Sequence, residues 1–217
     1  MENEKSFIAL IEKSIKKHWD LDALTDYKGT TLQYKDVARK IEKLHILFEE
    51  TGIKPGDKIA ACSRNMSNWG VTFLATVTYG AVIVPILQDF TPNDISHIVN
   101  HSDSRVLFVG DMVWENLAES EMPDLEAIIQ INDFSLLCSR NEHITETREH
   151  LNEMFGKKYP KSFGPEDLNY YQEESGDQLA TTRKSNQKGK SSPLPSACGA
   201  GIFVSVPADS AAGCCAA

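Results

Sequence analysis

Residues 79–86 read Tyr-Gly-Ala-Val-Ile-Val-Pro-Ile, and the fold turns on how this run is divided. Gly80 closes a helical segment over residues 65–79, in which Trp69, Phe73, Thr76 and Val77 mark one side. Residues 81–85 then carry no polar side chain, the pattern of a strand with both faces covered in a parallel sheet. Upstream, residues 58–62 (Lys-Ile-Ala-Ala-Cys) form another short strand, set off by a Pro55-Gly56-Asp57 turn and by Gly52, a helix stop signal. Before that stop, Val37, Ile41, Leu44 and Phe48 share one helical face, and Thr31-Leu32-Gln33-Tyr34 leads into it. An amphipathic entry helix over residues 5–17 carries Phe7, Ile8, Ile11 and Ile15.

Downstream, Thr91-Pro92-Asn93-Asp94 is a helix start: a hydroxyl cap, proline in the first turn, and an acid facing the positive end of the helix dipole. Ile95, Ile98 and Val99 of that helix point inward, strands follow at 105–109 and within 125–131, and a polar helix lies around 145–155. Strands alternating with helices at this spacing define an α/β fold class, a doubly wound parallel sheet.

With 217 residues, 41% of them hydrophobic, the chain can bury a core. A net charge of −9 excludes a surface built for nucleic acid or anionic membrane. Residues 1–10 lack a secretory signal and no run approaches a membrane span, so the expected location is cytoplasmic, and the five cysteines are expected to be reduced thiols. Composition breaks near Ala180. Residues 181–217 are basic, dominated by Ala, Ser, Gly, Pro and Cys, and without apolar periodicity, so this tail is expected to be unstructured.

Taken in order, T-L-Q-Y at 31–34, G-I-K-P-G-D-K-I-A at 52–60, N-x-x-x-W at 65–69, Y-G-A-V-I-V-P-I at 79–86, T-P-N-D-I at 91–95 and S-R-V-L-F-V at 104–109 resemble one family. The resemblance is to the N-terminal part of AMP-forming, or adenylate-forming, acyl-CoA synthetases, most like the bacterial long-chain fatty acid–CoA ligases. It implies that residues 1–180 are a partial N-terminal subdomain of the adenylate-forming enzyme fold. It also implies the intact family's chemistry: ATP, Mg and a fatty acid give an acyl-adenylate and pyrophosphate, and CoA then displaces AMP.

Gly176-Asp177-Gln178-Leu179-Ala180 is similar to the family's lead-in to its phosphate loop, Y-[TS]-S-G-[TS]-T-G-x-P-K-G. In place of that loop the chain continues Thr181-Thr182-Arg183-Lys184-Ser185-Asn186-Gln187-Lys188-Gly189. Gly189-Lys190-Ser191 copies the close of a P-loop, but the spacing needs glycine where Lys184 stands, and Pro193 and Pro195 replace the outgoing helix. The adenine-binding, ribose-binding and catalytic-lysine motifs of the family are absent from the 217 residues as well. A shifted reading frame, a natural alternative ending and a cloning artefact each produce such a departure.

The expectation is therefore a truncated ligase without independent activity, with no catalytic, cofactor-binding or metal-ligating residue to assign and no cofactor of its own. The alternative is a non-catalytic interaction module holding a partner chain through its sheet or surface helices. Self-association through exposed sheet is expected of a chain this short. Among smaller signals, His97 and His101 share a helical face but lack further ligands and read as surface histidines, Cys62 reads as a small buried residue, and Cys214-Cys215-Ala216-Ala217 matches a prenylation pattern only loosely.

Overall fold

The computed structural model describes residues 6–171, and the expected tail at 181–217 lies outside them. Helix α1 (Phe7–Lys17) leads into a hairpin of β1 (Asp22–Thr25) and β2 (Thr31–Gln33). Helix α2 (Tyr34–Glu50) starts where the Gln33 N–H donates to the Asp36 carboxylate at 3.1 Å. It stops at Gly52, whose φ of 67° suits glycine. Next come β3 (Lys58–Cys62), α3 (Ser67–Tyr79), β4 (Val82–Ile86), α4 (Pro92–His101), β5 (Ser104–Val109) and the single turn α5 (Asp111–Trp114). The last elements are β6 (Ala127–Gln130), β7 (Leu136–Ser139) and α6 (Glu142–Lys158).

The main sheet has the order β4-β3-β5-β6-β7, with β4, β3, β5 and β6 parallel and β7 antiparallel. Strand alternation sends Ile59, Ala61, Val106, Phe108, Ala127 and Ile129 into a core shared with α2, α3 and α6. Ala60, Cys62, Leu107, Val109 and Ile128 enter a second core with Ile95 and Val99 of α4 and with Met122 and Leu125. Both faces are covered, which is why the central strands run apolar without alternation.

Two expectations need correction. The run at 81–86 is an edge strand, not a doubly covered one: Val82 is 47% exposed and only Ile86 of β4 is buried. Its proline fits that position, because an edge strand has one side free of ladder bonds. The expected parallel sheet is present, and β7 adds one antiparallel strand beside β6 with Ile128 opposite Cys138. Helix α3 does not bury Trp69, Phe73 and Val77. It buries Val71, Thr72, Ala75, Thr76 and Thr78. The threonines are admitted because Thr72, Thr76 and Thr78 donate their hydroxyls to the carbonyls of Asn68, Thr72 and Leu74 at 2.6–2.9 Å. Trp69 and Phe73 instead stack on each other at 5.8 Å, with Phe7 of α1 edge-on to Phe73.

The amino end of the sheet is closed by one arginine. Arg105, at the start of β5, donates to Asp57 and to Glu126 at 2.6 Å each and to the Gly52 carbonyl at 2.8 Å. Burial alone would lower its pKa, but the two carboxylates outweigh burial and hold it above the ordinary guanidinium value. Asp57 is lowered by the Lys54 N–H and by Arg105. Beside this cluster, Gly56 N–H donates to the Gly80 carbonyl at 2.9 Å, and Tyr79 donates its hydroxyl to the Ile53 carbonyl at 2.9 Å. The G-I-K-P-G-D stretch is thus a structural clasp.

His45 belongs to the same half of the molecule. It is buried on α2, with Nε2 3.0 Å from both the Ala75 carbonyl and the Thr78 hydroxyl. Burial pulls its pKa down to about 4. After α6 the chain returns to α1, where the Glu12 carboxylate accepts the N–H groups of Tyr170 and Tyr171 at 2.8 and 2.9 Å.

Candidate functional site

A sheet of this kind presents its ligand-facing crevice at the carboxyl ends of the strands, where neighbouring connections leave in opposite directions. Here that point lies between β3 and β5. From β3 the chain crosses through α3 to β4, whereas from β5 it crosses the other way to β6. The candidate site is therefore built from residues 63–66 after β3, 110–111 after β5, and 131–132 after β6.

The first two turns touch. Gly110 N–H donates to the Cys62 carbonyl at 2.9 Å, and a Cβ on Gly110 would stand 3.0 Å from the Cβ of Ser63. Glycine is required there for close approach, not for an unusual φ. Ser63 is buried and donates its hydroxyl to the Arg64 carbonyl at 2.9 Å, while the Arg64 side chain is exposed and makes no hydrogen bond or ion pair among the described residues. Asn132 accepts the Asp111 N–H at 3.3 Å through Oδ1. Asn68, in the first turn of α3, donates Nδ2 to the carbonyls of Ile131 and Asn132 at 2.9 and 2.7 Å, so α3 is pinned to the end of β6.

Cys62 ends β3 beneath this crevice. It is fully buried, and burial pushes its thiol up to about 11, so it acts as a packing residue, as its sequence context implies. His97 and His101 stack with ring centroids 5.8 Å apart on the exposed side of α4. Among the described residues, no group of three or more His, Cys, Asp or Glu side chains is placed to hold a metal ion.

The crevice does not fit a nucleoside triphosphate with its magnesium. The turn after β3 offers no run of glycines from which N–H groups could converge. The first N–H of α3, from Ser67, is already given to the Asp26 carboxylate at 2.7 Å, so the protein itself supplies the negative charge at that helix end. What the arrangement offers is a wall: two crossed turns, one free guanidinium and an asparagine clamp. Sequence reading assigned no residue here. Gly110 and Ser63 are 47 positions apart in the chain, and only the strand order brings them together.

Comparison with known proteins identifies the wall's origin. The sequence profile of the AMP-binding enzyme family matches residues 11–180, and the chain belongs to that family. Its relatives include fatty acid and acyl–CoA ligases. The chain is 27% identical to the fatty acid–[acyl-carrier-protein] ligase ScoC of Streptomyces coeruleorubidus over 124 residues, 57% of this chain and 24% of that protein. It is 27% identical to the long-chain fatty acid–CoA ligase 6 of Mus musculus over 110 residues, 48% of this chain and 16% of that one. Among solved structures, a long-chain fatty acid–CoA ligase from Archaeoglobus fulgidus superposes with a TM-score of 0.55 at 18% identity, covering 67% of this chain and 31% of that one. An anthranilate CoA ligase solved with anthranoyl-AMP gives 0.55 at 19%, covering 64% and 27%. The shared feature is the fold of an adenylate-forming enzyme's N-terminal region, and the chain spans about a quarter or less of the two relatives. Among the described residues no helix is long and apolar enough to cross a membrane.

Proposed function

We propose that residues 1–180 are the N-terminal subdomain of a fatty acid–CoA ligase, that residues 181–217 are foreign to that fold, and that the 217-residue chain does not adenylate a fatty acid by itself. The observation that carries this is the coincidence of two boundaries. The family match runs to residue 180, and from Thr181 the sequence departs from the phosphate loop that the family places there.

In the intact family, loop N–H groups and a lysine neutralise charge that develops on the α-phosphate, and removing even one such preorganised donor costs roughly 3–4 kcal/mol. Here the whole set is missing from the sequence, and the crevice between β3 and β5 supplies no substitute. On this reading the subdomain provides a scaffold and one wall. ATP, Mg and CoA are ligands of the complete enzyme, the acyl substrate is a fatty acid, and the setting is cytoplasmic.

The test is pyrophosphate release by the purified 217-residue chain with ATP, Mg and fatty acids of several lengths. No release above the protein-free blank is expected. Fatty-acid-dependent release that tracks the protein through purification would overturn the proposal and point to an adenylation site elsewhere in the chain.

A further inference from the structure

The groove between α2 and α6 gathers cations that pair with no carboxylate among the described residues. Lys40 reaches Asn68 Oδ1 at 3.3 Å and lies 5.3 Å from the ring centre of Phe134. Lys43, one turn along α2, donates to Asn152 Oδ1 at 2.8 Å and lies 5.5 Å from the ring centre of Phe155. Arg148 of α6 donates Nε to the Phe134 carbonyl at 2.6 Å, and among the described residues its two Nη groups make no further hydrogen bond. Three positive groups thus rest on two amides, one carbonyl and two aromatic rings, in a chain whose net charge is −9.

Two acids whose charge reaches the cluster are engaged elsewhere. Asp36 accepts the Gln33 N–H and pairs with Arg39 at 3.6 Å, although its charge is also felt by Lys40. Asp133 accepts the Ser135 N–H at 2.8 Å, although it and Arg148 feel each other's charge. The crowding adds to burial in lowering the pKa of both lysines. Burial lowers Lys40, and repulsion from Lys43 lowers it further. Lys43 is lowered by burial, then by Arg148 and Arg39.

A second, independent feature lies at the same spot. Phe134, which carries Lys40 on its ring and Arg148 on its carbonyl, has a φ of 61°. A bulky aromatic residue in that region is strained, and such strain is held where the surroundings fix it and gathers at ligand-contacting sites. Here the Phe134 N–H bonds to the Gln130 carbonyl at 2.8 Å, and its ring packs edge-on to Phe108. The strained turn supplies the carbonyl that holds Arg148 through Nε, close enough to Lys43 for the two charges to repel.

We propose that Lys40, Lys43 and Arg148 form a binding site for a phosphate-bearing anion. A guanidinium held by Nε with both Nη groups free matches the paired oxygens of a phosphate, and two ammonium groups one helical turn apart suit a group with more than one negative charge. This site adjoins the β3–β5 crevice, with which it shares Asn68, and does not depend on the ligase reading.

The test is titration calorimetry of the full 217-residue chain with inorganic pyrophosphate, with ATP in the absence of magnesium, and with hexaglutamate. Pyrophosphate and ATP should both bind at millimolar concentration or below, with affinity falling as salt rises. Lys43→Gln and Arg148→Gln should each weaken both by about tenfold, the value of one charge-assisted hydrogen bond. Lys54→Gln, at the other end of the sheet, should leave binding unchanged. Arg148→Lys keeps the charge without the fork and should bind between the wild type and the glutamine variant. If Arg148→Gln disturbs the Phe134 turn and unfolds, Lys43→Gln alone decides. Absence of binding by pyrophosphate, binding of ATP alone, unchanged affinity in Lys43→Gln, or hexaglutamate binding more tightly than pyrophosphate would each overturn the proposal. The last outcome would make the groove a protein-docking face.

Discussion

The two ends of the sheet are built by opposite rules. At the amino end every turn is bonded to another turn: Arg105 ties β5 to the turn before β3 and to the residue before β6, and Gly56 meets Gly80. At the carboxyl end the turn after β5 meets the turn after β3 at Gly110 and Ser63 and the turn after β6 at Asp111 and Asn132, but Arg64 is bonded to nothing among the described residues. The difference separates two meanings of a motif. The G-I-K-P-G-D stretch, which marks the family most visibly, has its structural reason at the amino end, whereas the positions free to serve a ligand lie in turns with little sequence signature.

The strongest way to break this contrast is Arg105→Ala. It strands two carboxylates that are only about a quarter exposed, together with the Gly52 carbonyl, so the loss of stability should be about 3 kcal/mol, at the low end of the cost of breaking a buried pair because solvent still screens part of the site. Urea unfolding of the variant against the wild type measures it, and a loss below about 1 kcal/mol would mean that the clasp is ornamental.

A smaller effect belongs to pH. His45 is held near 4 in the folded protein, whereas an unfolded histidine titrates near 6.5. Between those values the unfolded chain binds the extra proton, so this contribution to stability is complete above about pH 6.5 and is lost as pH falls toward 4. From pH 7 to pH 5 the loss should be about 2 kcal/mol, and His45→Gln should flatten that part of the profile. A wild-type stability that stays level across this range would place the imidazole in water.

The smallest effect should come from Arg64→Ala. With no partner to lose, its stability change should fall within about 0.5 kcal/mol of zero. A larger destabilisation in the same urea experiment would show that the carboxyl end carries structural duty after all.

The strands and helix starts were far more legible than the crevice, for physical reasons. Strands β3, β5 and β6 declare themselves because burial on both faces forbids polar residues, and the cap at Thr91 is local chemistry. Of the inner face of α3 only Thr76 was read, because Thr72 and Thr78 look polar until their hydroxyls are seen to bond their own helix. Strand β7 is four half-buried residues whose evidence is its pairing with β6, which no local window contains. The crevice between β3 and β5 follows from strand order, and strand order is a property of the whole chain. The phosphate site turns on Phe134, and an aromatic residue gives no hint that its backbone will be left-handed.

Pro85 closes one further question about the edge strand. Along β4 the Val82 N–H points inward to the Asp57 carbonyl, so Val82, Val84 and Ile86 direct their donors at β3, while positions 83 and 85 direct theirs outward. Position 85 is proline and has no donor. The β4 margin, unpaired among the described residues, therefore offers a neighbouring polypeptide one amide hydrogen, that of Ile83, in a strand of five residues. A guest strand could not zip along it, because the second rung of the ladder is missing, and so a margin apolar enough to invite fibrillar stacking carries its own built-in interruption.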